Sequence, residues 1–442
     1  MSERRTVGVG LVGLGTIGTG VAKVIQQNAA VIEQRLGVPL RLVRIADLDL
    51  ETDRGVDLSG IRFDSDTPGL ISDPEVDIVI ELVGGYDFAR DLILKAIDAG
   101  KHVVTANKAL LALHGKQIFD AALKRGVDVA FEASVGGGIP ILRSLREGFA
   151  ANRILSLHGI MNGTTNYVLT EMEKTGELFD VVLKRAQDLG YAEADPTFDV
   201  DGIDAAHKLT LLAAMAYGAA ITFEEIPTEG IRALTPFDFE AADEFGYRIK
   251  LLGIAKGHGR DAERIEARVH PTLVSKGSLL ANVDGAMNAV AVTGDAVGRT
   301  LSYGAGAGEM PTASAVVGDL IELAREVLRE SSGRVAPLSY LPEELVPKPI
   351  VPLDELYGRA YLRFTMLDRP GVFGHIASVL GENEIGIESV IQKGRGGSFD
   401  SVPVLMQTYP SKESALRSAL EIIDGLEDVT APTVHIRVEE DL

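Results

Sequence analysis

The stretch from Ala186 to Lys208, AQDLGYAEADPTFDVDGIDAAHK, gathers Glu193, Asp195, Asp199, Asp201 and Asp204 ahead of a single lysine, Lys208. Gly190 and Asp195-Pro196 are loop chemistry, because a residue before proline is pushed out of the helical region. From about Ile203 the run AAHKLTLLAAMA reads as a buried helix. Asp204 and Lys208, four residues apart, then share one helix face, and the loop can carry Glu193 over it. An ammonium among carboxylates at the mouth of an apolar helix suits a small zwitterionic substrate. The plainer reading of the same spacing is an ordinary i,i+4 ion pair of a few tenths of a kcal/mol.

Something must hold that helix mouth against a reactive partner, and the first half of the chain supplies a candidate. Val7 to Leu14 is an apolar strand leading into Gly13-Leu14-Gly15-Thr16-Ile17-Gly18 and a helix over 21–32. This is the dinucleotide fingerprint in its strand–turn–helix setting: Gly13 for the tight turn, Gly15 for close approach of the pyrophosphate, Gly18 for helix–strand packing. The pyrophosphate would rest on the helix N-terminus. Apolar strands over 40–46, 77–83, 102–105 and 127–131 alternate with helices, which predicts a Rossmann-type, doubly wound parallel sheet. Asp47 ends the second strand, where an acidic residue accepts the ribose hydroxyls and repels a 2′-phosphate. With no basic residue immediately beside it, NAD is favoured over NADP.

Two strand ends stand where ligands bind in such sheets. Lys108 follows Thr105-Ala106-Asn107, and a cation at a helix start is disfavoured by the dipole, so it is expected to face substrate. Glu132 precedes Gly136-Gly137-Gly138. That run is either a flexible exit from the first domain or a set of exposed carbonyls that, with Glu132, would hold a hard monovalent cation.

A strand over 154–160 opens a second, α+β region. Asn162-Gly163-Thr164-Thr165-Asn166 is expected to be a turn ahead of a helix over 167–174. It is read either as an ordinary N-cap or as a receptor for a substrate carboxylate. Strands over 247–255, 264–270 and 289–293 suggest a mixed or antiparallel sheet. Gly304 to Gly308 precedes a long helix over 313–329 that is expected to return to the nucleotide domain. Four prolines over 338–357 mark a linker. The tail beyond it alternates in the order βαββαβ, which is ferredoxin-like.

The chain has 442 residues, too many for one core. Its net charge of −21 argues against nucleic acid or an anionic membrane as partner. The absence of cysteine excludes disulfides and thiolate chemistry. Two arginines precede the first apolar run, which is too short and too glycine-rich for a signal peptide. No run is long enough to span a bilayer, and a soluble cytoplasmic protein is expected.

The pattern Ala186, Gly190-Tyr191-Ala192, Asp195-Pro196, Asp199-Val200, Gly202, Asp204 and Lys208 resembles the homoserine dehydrogenase signature without departure. Glu81 to Gly85, Thr105 to Lys108, Asn162 to Tyr167 and Gly304 to Ser314 agree with it, and the resemblance spans about residues 5–330. It implies reversible, NAD(P)H-dependent reduction of L-aspartate 4-semialdehyde to L-homoserine, in threonine, methionine and isoleucine biosynthesis. It implies Lys208 as proton donor and Lys108 as a second cation at the reacting centre. Glu193, Asp204 and Gly190 would bind substrate. Thr16, Ile17, Lys108 and Gly308 would lie at the cofactor. Glu132, with the carbonyls of Val135, Gly137 and Ile139, would bind a sodium ion. The turn Asp368-Arg369-Pro370-Gly371-Val372 resembles the start of an ACT domain, which implies an amino-acid effector, with threonine expected, contacting the Gly371 turn and Asn383. A domain serving only in oligomer contacts is the other reading of that tail.

The expected organisation is therefore a nucleotide domain over 1–134 plus about 306–332, a substrate-binding and dimerisation domain over 135–305, a linker over 333–357 and the ACT domain over 358–442. A homodimer or homotetramer is expected, and no aspartate-kinase segment is expected ahead of the nucleotide fold. A related aldehyde reductase and a non-catalytic amino-acid sensor are the competing functional readings. The sensor predicts damage at Lys108, Lys208 or the glycines, and the sequence shows none.

Overall fold

A computed structural model describes residues 6–392, 401–440 and 442. Arg4 and Arg5, which precede the first strand, lie outside the described residues. The chain divides into two compact units, Met1–Ser156 with His207–Glu225 and Asn288–Lys348, and Leu157–Ala206 with Ile226–Met287 and Pro349–Leu442.

The first unit is built on a six-stranded parallel sheet. Its strands are β1 (Val7–Val12), β2 (Leu40–Ala46), β3 (Arg62–Asp64), β4 (Ile78–Glu81), β5 (His102–Thr105) and β6 (Val129–Ala130), in the order β3-β2-β1-β4-β5-β6. That is the doubly wound order in which the crevice beside β1 receives a dinucleotide. Strands covered on both faces need continuous apolar sequence, and every residue of β1 and β4 is buried. The edge strand β3, RFD, carries no such run and was not foreseen from sequence.

The helix Thr16–Gln27 packs beneath the sheet beside the helix Glu309–Arg329: a Cβ on Gly20 would lie 2.9 Å from Glu309 and 3.0 Å from Ala313, and Lys23 bonds Glu309 at 2.7 Å. The long helix therefore returns to the nucleotide fold as expected. It starts four residues early, with Pro311 in its first turn, where a missing N–H costs nothing.

The second unit is organised by a mixed sheet. β7 (Ile154–Ile160, in this unit from Leu157) lies beside β8 (Tyr247–His258), which pairs antiparallel with β9 (Arg264–Ser275) along its whole length. β10 (Met287–Gly294) and β11 (Gly298–Ala305) belong to the first unit apart from Met287.

Beyond the linker come β12 (Tyr357–Gly358), β13 (Ala360–Leu367), β14 (Ile387–Gln392), β15 (Ser401–Thr408), β16 (Ser411–Lys412) and β17 (Val429–Glu439), with helices Val372–Glu382 and Glu413–Asp424 between them. The four long strands run β17-β13-β15-β14 and are antiparallel throughout, the βαββαβ arrangement expected of the tail. An apolar core of Leu362, Phe364, Ile376, Leu380, Met406 and Ile423 fills the space between its sheet and its helices. The sequence did not disclose that β17 also pairs parallel with β9, Arg437 opposite Thr272 and Glu439 opposite Val274. A second tie is ionic: Arg363 of β13 bonds the fully buried Asp238 at 2.7 Å, and Tyr361 donates to it at 3.1 Å. Asp238 also closes the capping box of the helix Pro236–Glu244 through Thr235.

Candidate active site

Within the first unit, the fingerprint glycines behave as the dinucleotide geometry requires. Gly13 has φ +99°, a conformation L side chains rarely adopt, and its N–H bonds Ala46 at 2.9 Å. A Cβ on Gly18 would stand 2.1 Å from the Gly13 carbonyl oxygen, so only glycine lets the helix meet the turn. A Cβ on Gly15 would meet nothing within 4 Å, and Gly15 and Thr16 are exposed, with Ile17 half-buried. The helix Thr16–Gln27 carries no side-chain cap. Its free N–H groups and open approach fit a pyrophosphate.

The Asp47 carboxylate accepts the N–H groups of Leu14 and, at 2.8 Å, of Asp49, which fastens the end of β2 to the glycine turn. Folding also brings Arg54 to 3.7 Å from Asp47 and 3.2 Å from Asp49. No sequence neighbour announced that cation, because it arrives through the 48–58 loop.

Lys108 is placed by a chain of polar contacts. Glu81, fully buried at the end of β4, accepts from the backbone of Val83 (2.9 Å) and Gly84 (3.1 Å) and from the Thr105 hydroxyl (2.6 Å). Thr105 in turn accepts the Asn107 N–H at 3.0 Å. Asn107 caps the helix Lys108–Arg125 through the Leu110 N–H at 3.1 Å and donates to the Gly85 carbonyl at 2.7 Å. Lys108 is thus the first residue of a helix whose start is fixed from two strands, and it is half-buried. The sequence singled out Lys108 but not Glu81 as its support. A carboxylate inside an apolar strand was the available signal.

Gly136-Gly137-Gly138 and Gly304 to Gly308 meet backbone to backbone. Gly138 donates to the Ala305 carbonyl at 3.0 Å, and a Cβ on Gly137 would lie 2.4 Å from the Gly306 oxygen. Gly308, with φ +121°, caps the helix Glu309–Arg329. The triple-glycine run is therefore a close-packed turn and not a loose exit from the domain.

Glu132 is buried, and its carboxylate accepts the N–H groups of Leu142 at 2.9 Å and Arg143 at 2.8 Å. Burial, followed by the negative charge of Asp319, pushes its carboxyl up to about 7. Asp319, wholly buried, is pushed up to about 6 by burial. It accepts the Glu132 N–H at 2.8 Å and pairs with Arg143 at 3.2 Å. The Ile139 carbonyl already accepts the Ile141 N–H at 2.8 Å. No group of three or more His, Cys, Asp or Glu side chains suited to a metal occurs among the described residues. The donors here are oxygen only, of the class a hard monovalent cation takes, and each Glu132 oxygen keeps a lone pair beyond its N–H contact.

In the second unit the 162–166 segment is not a turn before a helix. Asn162 is the N-cap and the helix runs Gly163–Thr175. The Asn162 side-chain oxygen accepts the Thr165 N–H at 2.8 Å, so its amide nitrogen points the other way and donates to Asp199 at 2.7 Å and Asp204 at 2.9 Å. One buried amide thus holds a helix start and two carboxylates together. Thr164 donates to the Tyr191 carbonyl at 2.6 Å, and the rings of Tyr167 and Tyr191 lie 4.8 Å apart. These contacts fix the acidic loop on the new helix. Gly190 turns that loop at φ +77°. Glu193 is exposed, and its backbone carbonyl accepts from Gln187 at 3.0 Å. The acids gathered at Asn162 are Asp199 and Asp204. Spacing alone did not say which acids converge, and it left the Asn162 segment as either an ordinary N-cap or a receptor for a substrate carboxylate.

Asp204 lies in the first turn of the helix Ile203–Tyr217, where the macrodipole favours a carboxylate, and Lys208 follows one turn later. They are 7% and 8% exposed. A buried carboxylate and ammonium at that spacing are not the solvated pair of the plainer reading, because ions leave water only for partners or for chemistry.

A Rossmann sheet with an intact phosphate turn and Lys108 at its ligand end, in a chain that also carries an acid-bearing helix mouth, defines a nicotinamide-dependent oxidoreductase. The family model "Homoserine dehydrogenase, NAD binding domain" matches residues 13–132, and the model "Homoserine dehydrogenase" matches 140–321. The chain is 48% identical to the homoserine dehydrogenase of Pseudomonas aeruginosa over 99% of both chains. It is also 48% identical to that of Neisseria gonorrhoeae, over 98% of this chain and 99% of the relative. The crystal structure of a homoserine dehydrogenase from Thiobacillus denitrificans superposes with a TM-score of 0.92 at 48% identity, covering 99% of each chain. A hyperthermophilic archaeal homoserine dehydrogenase in complex with NADPH matches with a TM-score of 0.62 at 25% identity, over 75% of this chain and all of that one. The chain belongs to the homoserine dehydrogenase family. No helix among the described residues is long and apolar enough to cross a membrane.

Proposed function

We propose that Lys208 is the proton donor of this homoserine dehydrogenase, with Asp204 and Glu193 holding the substrate ammonium and Gly190 shaping the loop that closes on it. The observation that carries this reading is the helix Ile203–Tyr217, which presents a buried carboxylate and a buried ammonium one turn apart. The nicotinamide, when bound, supplies a hydride to the aldehyde carbon or takes it from the alcohol. As reduction proceeds, the aldehyde oxygen gathers negative charge. The Lys208 ammonium stabilises that charge and delivers a proton to it. Lys108, held at its helix start by Glu81, Thr105 and Asn107, adds a second positive charge. Asn162 aims the Asp204 carboxylate by donating to it.

Gly13, Gly15, Thr16, Ile17, Gly18 and Gly308 form the cofactor cradle, and Asp47 receives the ribose hydroxyls. NAD is the favoured cofactor. The charge of Arg54 is already met by Asp47 and Asp49, which supports the preference. Glu132 with the carbonyls of Val135, Gly137 and Ile139 holds a sodium ion, which would return the Glu132 carboxyl toward its ordinary range. As functional regions the reading keeps a nucleotide domain over 1–134 plus about 306–332, a substrate-binding domain over 135–305 and a linker over 333–357, with the ferredoxin-like tail over 358–442 acting as an ACT domain. Threonine inhibits through the Gly371 turn and Asn383. Gly371 caps its helix at φ +97° without a side-chain cap. The working enzyme is a homodimer or homotetramer in the cytoplasm.

Initial rates of homoserine oxidation with NAD and with NADP, each with and without threonine, test these readings together. Lys208→Ala is expected to lose turnover by a factor on the order of 10² or more while nucleotide binding persists. Retained turnover removes the assignment of Lys208.

A further inference from the structure

Behind Glu132 stands a carboxylate that touches neither substrate nor cofactor in the mechanism above. Asp319 lies about three turns into the helix Glu309–Arg329 and is 1% exposed. Its neighbours on the buried face of that helix are Val316, Val317, Leu320 and Leu323. A carboxylate there is costly unless partners compensate it.

The partners close a ring around the Glu132 site. One Asp319 oxygen accepts the Glu132 N–H at 2.8 Å, and the other accepts from the Arg143 guanidinium at 3.2 Å. The Arg143 backbone N–H in turn donates to the Glu132 carboxylate at 2.8 Å. Arg143 is therefore tied to both acids, by its backbone to Glu132 and by its side chain to Asp319.

That guanidinium is the natural rival of any cation at Glu132. Beyond burial, which dominates, the charge of Asp319 pushes the Glu132 carboxyl up and that of Arg143 pulls it down, as a bound cation would. The Arg143 side chain is 36% exposed, so it has room to move. Among the described residues its one ion pair is with Asp319. Other carboxylates share a cavity of about 40 Å³ with Arg143 and Asp319, but they are engaged elsewhere. Glu322 pairs with Arg325 at 2.8 Å, Glu326 with Arg334 at 3.0 Å and Glu147 with Arg146 at 3.7 Å. A guanidinium released from Asp319 is left with Glu132 as the carboxylate not already matched to a cation. An asparagine at 319 could still accept the Glu132 N–H, but it could not neutralise Arg143.

We propose, on the reading that Glu132 holds a sodium ion, that Asp319 is a positioning residue for that site. It keeps the Arg143 guanidinium away from the Glu132 carboxylate, so that an inorganic cation and not the arginine neutralises it. Asp319 thus sets cation affinity without being a ligand, and Arg143 acts in the opposite direction.

The test uses the full-length protein, with sodium chloride exchanged for N-methylglucamine chloride at constant ionic strength. Binding is read from the broadening of the sodium nuclear resonance and from the rise of melting temperature with sodium, neither of which needs turnover. The parent protein is expected to bind sodium saturably. Asp319→Asn should need about tenfold more sodium for half-saturation. Arg143→Gln should need about threefold less than the parent. The double variant has lost the rival together with its restraint, and should fall within about threefold of the parent. It carries neither buried charge, so it decides the matter even where a single variant fails to fold. A purely structural role predicts the reverse: weaker binding in both single variants and the weakest in the double. Parental affinity in Asp319→Asn, or a double variant weaker than the parent by about tenfold, overturns the proposal and leaves the sodium reading standing. Absence of saturable sodium binding in the parent overturns both.

Discussion

Replacing Asn162 separates the contributions that meet in its side chain. Loss of an N-cap costs about 1 kcal/mol, and each hydrogen bond to a carboxylate about 1.5–3 kcal/mol. Asn162→Ala removes the bond to Thr165 and both bonds to Asp199 and Asp204. It should therefore cost about 4 kcal/mol or more where the second unit unfolds. Asn162→Ser restores an acceptor for Thr165 but is too short to bridge two carboxylates, so it should recover only about 1 kcal/mol of that. Asn162→Asp also keeps the cap, yet sets a third carboxylate against two others. That variant should be the weakest near neutral pH and should improve as the pH falls, because the crowded group takes a proton only when folded. The assay is chemical denaturation followed by steady-state kinetics. KM for homoserine should rise about tenfold or more in the alanine and serine variants, equivalent to about 1.4 kcal/mol. KM for the nicotinamide cofactor should stay within about twofold, because Asn162 touches no part of the phosphate turn. An alanine variant with the parental KM for homoserine would refute the claim that this amide aims Asp204.

The backbone contact between the two glycine turns predicts that Gly137→Ala is severe. Its Cβ would meet the Gly306 oxygen at 2.4 Å and the carbonyl carbon at 2.6 Å, with no side chain able to turn aside. It should raise KM for the cofactor and lower the melting temperature by several degrees, whereas Gly148→Ala, with nothing within 4 Å, should do neither. His435 of β17 is held down to about 4 by burial, with the nearby Arg437 charge acting in the same direction. His270 of β9 is likewise held well below its ordinary value by burial. The unfolded chain takes up these protons between about pH 6.5 and 4 while the folded one does not. Stability from this source is therefore intact above about pH 6.5 and lost as the pH falls, by up to about 3 kcal/mol for His435. His435→Met should flatten the dependence of the urea midpoint on pH between about 5 and 7, and an unchanged slope would show that the histidine takes up its proton equally in the folded and unfolded chains.

Much of the nucleotide fold was legible because its signals are local. Val7–Val12 carries no polar side chain and Ile78–Glu81 is apolar up to its closing glutamate, and Gly13, Gly15 and Gly18 sit where backbone, not side chain, must approach. The buried helix from Ile203 was equally plain. The start of the helix at Gly163 was not, because Gly-Thr-Thr has poor intrinsic helix propensity and tertiary contacts overrode it. β3 was missed because RFD at a sheet edge carries no pattern. Nor does sequence spacing disclose meetings between distant segments. Asn162 with Asp199 and Asp204, Gly137 with Gly306, Arg54 with Asp47, and β17 with β9 all depend on the folded path of the chain. The acid cluster was visible as composition, but which acids converge was settled by one amide whose orientation follows from its capping bond.

The parallel docking of β17 on β9 bears on any attempt to cut away the tail. Excision would strip partners from the Thr272–Val274 backbone and leave a 12-residue strand, buried except at its two ends, with an open border, the kind of edge that recruits copies of itself into aggregates. Variants of the tail that stay in solution are therefore to be sought by exchanging side chains and keeping the strand.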